Sequence, residues 1–130
     1  MKIVDLLKRE SVELNGKVTS KPEAIEKMVA LMAAGGNLAD VEAYKKGVFA
    51  REEESTTGIG EGIAIPHAKT AAVKAPGLAA MVVKDGVDYD SLDGEPANLI
   101  FLIAAPDTED NVHLEVLSRL SMLLMDPDFR

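Results

Sequence analysis

Residues 58–69 read Gly-Ile-Gly-Glu-Gly-Ile-Ala-Ile-Pro-His-Ala-Lys, and no other stretch of the chain is as informative. A glycine-rich turn leads into a short apolar strand, Ile63–Ile65, which is followed by a proline and by His67. Glycine turns expose backbone N–H groups to an anion at little steric cost. Histidine is the side chain that titrates near neutral pH. The stretch therefore predicts a strand that presents a reactive imidazole at the mouth of an anion-binding turn.

Two longer apolar runs, Ala79–Val83 and Leu99–Ala105, extend this pattern along the chain. Near-continuous runs of this kind are typical of strands that are covered on both faces of a sheet. Turns are predicted between them at Lys84-Asp85-Gly86 and at Asp93-Gly94-Glu95-Pro96. Closer to the N-terminus, the segments 2–7 and 11–14 fit a strand and a short helix equally well.

A helix is predicted to begin at Ser20, because a serine can cap a helix and Pro22 suits its first turn. Glu23 lies three residues after Ser20 and completes a capping box. The helix is expected to end at Gly35-Gly36. Its apolar face, at helical spacing, is expected to consist of Ile25, Met28, Val29 and Met32.

Two more helices are predicted, one from near Asn37 toward Arg51 and one from about Glu109 to Met125. Either Asp107 or Thr108 can cap the last helix. Helices thus alternate with strands along the chain. This order predicts an α/β fold, a single-domain layered sandwich in which helices flank a mixed β-sheet.

Composition narrows the class of protein. The chain has 130 residues, 47% of them hydrophobic, which suits one domain with a sizeable core. Its formal net charge is −8 and no basic stripe is present, so nucleic acid is not an expected partner. The chain contains no cysteine, and no segment approaches the roughly 20 apolar residues that span a bilayer. We expect a soluble cytoplasmic protein that is not inserted into a membrane.

Four residues are candidates for chemistry. His67 can act as a nucleophile, and the alternative is a turn histidine without a special role. His113 falls one turn into the last predicted helix, where it can donate an N–H to an anion or be a buried structural residue. Arg51 can hold phosphate through two parallel hydrogen bonds, or it can pair locally with Glu54 or Glu52. Glu61, within the glycine turn, can orient an imidazole or arginine, or it can be solvated.

Taken together, these motifs resemble the signature of the IIA domain of the bacterial sugar phosphotransferase system, fructose/mannitol type. The resemblance extends over essentially the whole chain, residues 1–130, and its order and spacing are specific. It rests on the glycine–proline–histidine stretch that ends at Ala68, on the lead-in Arg51-Glu52-Glu53-Glu54-Ser55-Thr56-Thr57, on Ala104-Ala105-Pro106 and on His113-Leu114.

The resemblance implies a function and a role for each candidate residue. It implies that His67 is phosphorylated through Nε2, that His113 and Arg51 flank the phosphoryl group, and that Glu61 is a nearby supporting residue. It implies a phosphotransferase whose donor is the phosphocarrier HPr, charged from phosphoenolpyruvate by enzyme I. The implied acceptor is a cysteine of a IIB domain, which serves a IIC membrane domain. The implied sugar is fructose first and mannitol second, and no cofactor or metal is implied.

The resemblance also implies an α/β sandwich around a mixed sheet, with a further helix beyond Arg130, so we expect the chain to be truncated before that helix. Two other hypotheses remain open. The first is a regulatory protein of the nitrogen type, or a domain of a regulator, controlled by phosphorylation of the same histidine. The second is a metal-dependent hydrolase or binding protein that uses His67, His113 and Glu61 as ligands.

Overall fold

The computed structural model describes residues 7–107, and this part of the chain contains six strands and two helices. The helices are α1 (Lys21–Ala34) and α2 (Val41–Glu54). The strands are β1 (Leu7–Glu13), β2 (Gly58–Gly60), β3 (Ile63–Ala64), β4 (His67–Thr70), β5 (Gly77–Val87) and β6 (Ala97–Pro106). The predicted helix from about Glu109 to Met125, Thr108 as one of its two possible caps, and the first part of the segment 2–7 lie outside the described residues.

The strands form one mixed sheet in the order β1-β5-β6-β3-β2, and β4 pairs with β6 beyond the end of β3. The central pair, β5 and β6, is antiparallel, whereas β1 runs parallel to β5 and both β3 and β4 run parallel to β6. The predicted α/β class, with helices against a mixed sheet, is confirmed. The segment 11–14, which fitted a strand and a short helix equally well, is a strand as far as Glu13.

The two central strands are buried because apolar residues occupy both of their faces. Ile100, Leu102 and Ala104 point into a cluster with the buried residues of α1 and α2. Phe101 and Ile103, which alternate with them, point into a second cluster. Since successive side chains of a strand point to opposite faces, the two clusters lie on opposite sides of the sheet.

Both long strands extend beyond their predicted limits, and one predicted turn is wrong. Residues 84–86 were expected to be a turn, but β5 continues through them to Val87. The register with β6 shifts between Val82 and Val87, and Gly86 takes a φ of 77° within the irregularity. A bulge absorbs the turn-forming residues while the strand continues. The second predicted turn, at 93–96, does lie in the connection between β5 and β6.

The first helix has the predicted ends. Ser20 is the N-cap and accepts a hydrogen bond from the N–H of Glu23, and Gly35 caps the C-terminus. The capping box differs in one detail, because the Glu23 carboxylate accepts from the N–H of Thr19 rather than from that of Ser20. The predicted apolar face of α1 is buried in full.

The second helix begins later and ends later than predicted, running from Val41 to Glu54 with Asp40 as its N-cap. The cause is a set of contacts distant in sequence. The buried side chain of Asn37 donates to the carbonyls of Ala75 and Pro76, which holds the preceding segment against the start of β5. Asp40, whose carboxylate accepts from the N–H of Ala43, then provides the first available cap.

Candidate active site

A cleft of about 350 Å³ opens between α2 and β4 and contains His67. The helix packs directly on the strand. A Cβ at Gly47 would make an ordinary van der Waals contact, 3.5 Å from the Cβ of Ala68. The residues that line the cleft are Gly47, Ala50, Arg51, Glu54, His67, Ala68 and Lys69.

The position of His67 is set by β3 and β4, which follow each other in the chain and both pair with β6. The residue pairs Ile63–Leu99 and His67–Ile103 show that β3 and β4 follow the same strand β6, with a break at Pro66 between them. Proline has no N–H to donate, but its carbonyl accepts from the N–H of Ile103 at 3.0 Å. His67 thus begins β4, a strand that the sequence analysis did not predict.

The glycine turn does not lie where we predicted. Gly60, Glu61 and Gly62 all have positive φ and connect β2 to β3. The register on β6 separates Ile63 from His67 by four strand residues, roughly 13 Å at about 3.3 Å per residue. The turn therefore lies at the far end of β3, and the expectation that its N–H groups surround an anion on His67 is wrong.

Glu61 sits at the tip of that turn, with a φ of 57°. Its N–H donates to Oδ2 of Asp93 at 2.9 Å. This hydrogen bond, together with one from the N–H of Glu95, lowers the pKa of Asp93. Among the described residues Glu61 is not part of the cleft lining. The supporting role that the resemblance implies for Glu61 therefore stays a prediction.

The imidazole of His67 is half-buried, and within residues 7–107 it contacts the backbone of Ile65. Its Nδ1 lies 3.0 Å from the carbonyl oxygen of Ile65. A carbonyl can only accept, so in this hydrogen bond Nδ1 carries the proton. In the neutral ring Nε2 then keeps its lone pair. The backbone thus favours the tautomer in which Nε2 carries the free lone pair.

Arg51 lines the same cleft from the last turn of α2. Its Nη1 donates to the carbonyl oxygen of Ser55 at 3.0 Å and to the Ser55 hydroxyl at 3.4 Å. Its Nε lies 3.9 Å from the exposed carboxylate of Glu54. The structure thus brings Arg51 and His67 together and also shows the local pairing considered as the alternative. Guanidinium has five N–H groups, and the contacts found among the described residues use only Nη1 and Nε.

Lys69 is a cleft residue that the sequence analysis missed. It lies two residues after His67 on β4, so both side chains leave the same side of the strand. It provides a second cation beside Arg51 in the cleft lining. The signal that identifies Lys69 is its period-two spacing from His67, which becomes visible only once β4 is known to be a strand.

Glu52, named above as a possible local partner of Arg51, has a buried side chain that is only 5% exposed. Its carboxylate lies 2.9 Å from Nζ of Lys21 and accepts from the hydroxyl of Tyr89 at 3.1 Å. It also accepts from both the N–H and the hydroxyl of Thr57. Burial, followed by the nearby Glu52 carboxylate, raises the pKa of Tyr89. Glu52 is therefore the centre of a buried polar cluster next to the cleft.

His113 lies outside the described residues, so its position relative to the cleft is untested. Within residues 7–107 no group of three or more His, Cys, Asp or Glu is arranged to hold a metal ion. Also within this range, no helix has the length and apolar character needed to cross a membrane.

Sequence comparison places the chain among known proteins. The profile of the family described as "Phosphoenolpyruvate-dependent sugar phosphotransferase system, EIIA 2" matches residues 5–130. The chain is 52% identical over 130 residues to the "PTS system fructose-specific EIIABC component" of Bacillus subtilis. That alignment covers 100% of this chain and 20% of the relative, so the chain spans about a fifth of the length of that protein.

Solved structures of similar fold are also IIA proteins. The nitrogen regulatory protein IIA-Ntr from Neisseria meningitidis is 31% identical and superimposes with a TM-score of 0.86, covering 95% of this chain and 84% of that one. Enzyme IIA for mannitol from Escherichia coli, solved in complex with phosphorylated enzyme IIB, is 28% identical with a TM-score of 0.79. That match covers 93% of this chain and 84% of that one.

Proposed function

The chain belongs to the EIIA 2 family of the phosphoenolpyruvate-dependent sugar phosphotransferase system, and on that premise we propose that it is a phosphocarrier. His67 accepts a phosphoryl group from phospho-HPr and passes it to a IIB domain, which serves a IIC membrane domain. One observation carries the proposal: the hydrogen bond from Nδ1 of His67 to the carbonyl of Ile65, which leaves the lone pair of Nε2 for phosphorus.

The transfer step balances in charge and bonds. The Nε2 lone pair of His67 forms a bond to phosphorus as the bond from phosphorus to the donor's histidine nitrogen breaks, and that electron pair returns to the donor. The His67 ring gains positive charge in this step because Nδ1 keeps its proton. The carbonyl of Ile65 accepts from that N–H and so stabilises the charge as it develops.

The cleft must also compensate the incoming negative charge. A phosphoryl group adds about −1.5 to −2 charges near neutral pH, and the chain already has a net charge of −8. Arg51 and Lys69 are the cations of the described cleft lining, and Glu54 is its acid. We assign Arg51 to the phosphoryl oxygens through its Nη2 and Lys69 to a second oxygen. His113, on the strength of the family resemblance, is assigned as a further donor.

The proposed acceptor and sugar rest on the named relatives. The mannitol enzyme IIA of similar fold was solved with phosphorylated enzyme IIB, which supports a IIB domain as the acceptor. The Bacillus subtilis relative is named as fructose-specific, which supports fructose as the transported sugar, with mannitol second. The phosphoryl group is proposed to come from phosphoenolpyruvate by way of enzyme I and HPr, and the proposal includes a cytoplasmic location for this protein.

The test is reconstitution of phosphorylation. The chain is incubated with phosphoenolpyruvate, enzyme I and HPr, and acid-labile phosphate is mapped by mass spectrometry at neutral pH. We expect one phosphoryl group per chain on His67 and none on His67→Ala, which should fold normally because His67 is only half-buried. Stoichiometric phosphate on another residue, or no phosphate at all, contradicts the proposal.

A regulatory function is the second candidate, favoured by the high structural similarity to the nitrogen regulatory protein of Neisseria meningitidis. Both functions involve a phosphorylated His67, so mapping phosphate does not distinguish them. Complementation does, because only a transport component restores fructose uptake when it is combined with matching IIB and IIC components. Glu42→Gln, which removes an exposed ion pair with Lys45 on α2, serves as a control there.

A further inference from the structure

The carboxylate of Glu52 is a point where four donors meet. A carboxylate offers about four acceptor positions, and here they face the N–H and the hydroxyl of Thr57, the hydroxyl of Tyr89 and the ammonium of Lys21. Lys21 also lies over the Tyr89 ring, 4.7 Å from its centre. A fully bonded buried group of this kind has little freedom to change its geometry.

One path of hydrogen bonds leads from Glu52 to the nucleophile. Glu52 fixes Thr57 through two bonds. The carbonyl of Thr57 accepts from the N–H of Ile65 at 3.0 Å. The carbonyl of Ile65 in turn holds Nδ1 of His67. The residue that sets the tautomer of His67 is thus positioned by a residue that Glu52 holds.

A second path leads to the phosphoryl-binding cation. Glu52 directly follows Arg51 in the last turn of α2. The segment after this helix is held at two points, by Glu52 through Thr57 and by Lys21, whose ammonium donates to the hydroxyl of Thr56 at 3.2 Å. Ser55, at the start of that segment, accepts the hydrogen bonds of Arg51. The same cluster therefore bounds both sides of the cleft.

Stability alone is a weak reason for such a cluster. Replacing a buried ion pair by apolar side chains of similar volume is often neutral or stabilising, because desolvation offsets the attraction. What the carboxylate provides, and an apolar group cannot, is direction: it orients four donors at once.

We propose that Glu52 is a positioning residue for phosphoryl transfer, acting through Thr57 on the imidazole of His67 and through the segment 55–57 on Arg51. The inference rests on the proposed phosphocarrier function. Glu52 is not among the residues that line the described cleft, so its effect is on geometry. Loss of the Glu52 charge should therefore lower the rate of phosphoryl transfer far more than it weakens the binding of phospho-HPr.

The main variant is Glu52→Gln, which keeps the shape but turns one acceptor of the cluster into a donor. We expect kcat for transfer from phospho-HPr to fall at least tenfold while KM changes less than threefold. Thr57→Val, which removes the bonding hydroxyl, should show the same pattern, and Thr57→Ser should restore most of the rate. The matched control is Glu42→Gln, which removes an exposed ion pair with Lys45 from the same helix and should transfer normally.

A spectroscopic measurement separates positioning from a merely structural role. Long-range ¹H–¹⁵N correlation reports which ring nitrogen of His67 is protonated. In the unmodified protein we expect Nδ1–H, and in folded Glu52→Gln a mixture of both tautomers. If Glu52→Gln does not fold, the same two measurements are made on Tyr89→Phe and Thr57→Val. Tyr89→Phe removes a single hydrogen-bond donor to the carboxylate of Glu52.

The outcomes are distinguishable. If the unmodified chain is not phosphorylated on His67, the proposed function itself fails. If it is phosphorylated, and the folded variants of Glu52 and Thr57 keep the unmodified kcat and the Nδ1–H tautomer, the positioning inference is overturned while the phosphocarrier function stands. A fall in kcat with a mixed tautomer, in variants whose thermal unfolding remains cooperative, supports the inference.

Discussion

Replacing Arg51 by alanine should slow phosphoryl transfer much more than it destabilises the fold. In the unphosphorylated protein Arg51 makes hydrogen bonds to Ser55 and a 3.9 Å ion pair with the exposed Glu54. Partly exposed contacts of this kind contribute about 1 kcal/mol or less in total. In the transfer step the same guanidinium is assigned charge-assisted hydrogen bonds to phosphoryl oxygens, typically worth about 1.5–3 kcal/mol.

The expected rate effect follows from that energy. At about 1.36 kcal/mol per factor of ten, the loss corresponds to roughly a 10- to 150-fold lower rate. Rapid-quench measurement of transfer from phospho-HPr gives the rate, and urea denaturation gives the free energy of unfolding. Arg51→Lys is the matched variant, because it keeps the charge but not the planar fork, and an intermediate rate is expected.

Two outcomes would contradict a phosphoryl-binding role for Arg51. If Arg51→Ala transfers phosphate at the unmodified rate, Arg51 does not contact the phosphoryl group. If it loses several kcal/mol of stability and the rate per folded molecule is unchanged, its role is the local pairing with Ser55 and Glu54.

Three further predictions concern other parts of the chain. Lys69→Gln should slow transfer, but less than Arg51→Ala, because a flexible ammonium gives a single point contact; the same rapid-quench assay measures it. Gly58→Ala should destabilise the fold by about 1–3 kcal/mol in urea denaturation, since a Cβ would lie 2.7 Å from Oγ of Ser91. Burial raises the pKa of Tyr44 and Tyr89, so the folded form retains protons that the unfolded form releases above about pH 10. Stability should therefore be constant through neutral pH and fall above about pH 10, as thermal unfolding between pH 8 and 11 can show.

The parts of the fold that the sequence predicted are those set by local patterns. The apolar runs of β5 and β6 identify strands buried on both faces. Ser20 and Gly35-Gly36 mark the ends of α1 with short-range capping chemistry. Each of these signals lies within a few residues of the element that it defines.

The parts that the sequence missed depend on contacts distant along the chain. The late start of α2 follows from bonds between Asn37 and residues 75–76. The short strand β4 has no strong strand composition and exists because β6 pairs with it. The bulge at Gly86 keeps as strand a segment whose composition is that of a turn.

The same distinction applies to the candidate site. His67 and Arg51 could be named from motifs, and the structure places both in one cleft. Lys69 and the buried environment of Glu52 required the fold, because the partners of Glu52, Lys21 and Tyr89, lie more than 30 positions away in the sequence. The glycine turn has the composition of an anion site, but sheet register places it at the far end of β3.

The most direct test of this account is the chemical form of phosphorylated His67. The chain is phosphorylated through enzyme I and HPr and examined by ³¹P and long-range ¹H–¹⁵N correlation. The hydrogen bond between Nδ1 and the carbonyl of Ile65 predicts phosphate on Nε2 of His67, with Nδ1 still protonated at neutral pH. Phosphate on Nδ1 of His67, or on a different side chain, would contradict the account.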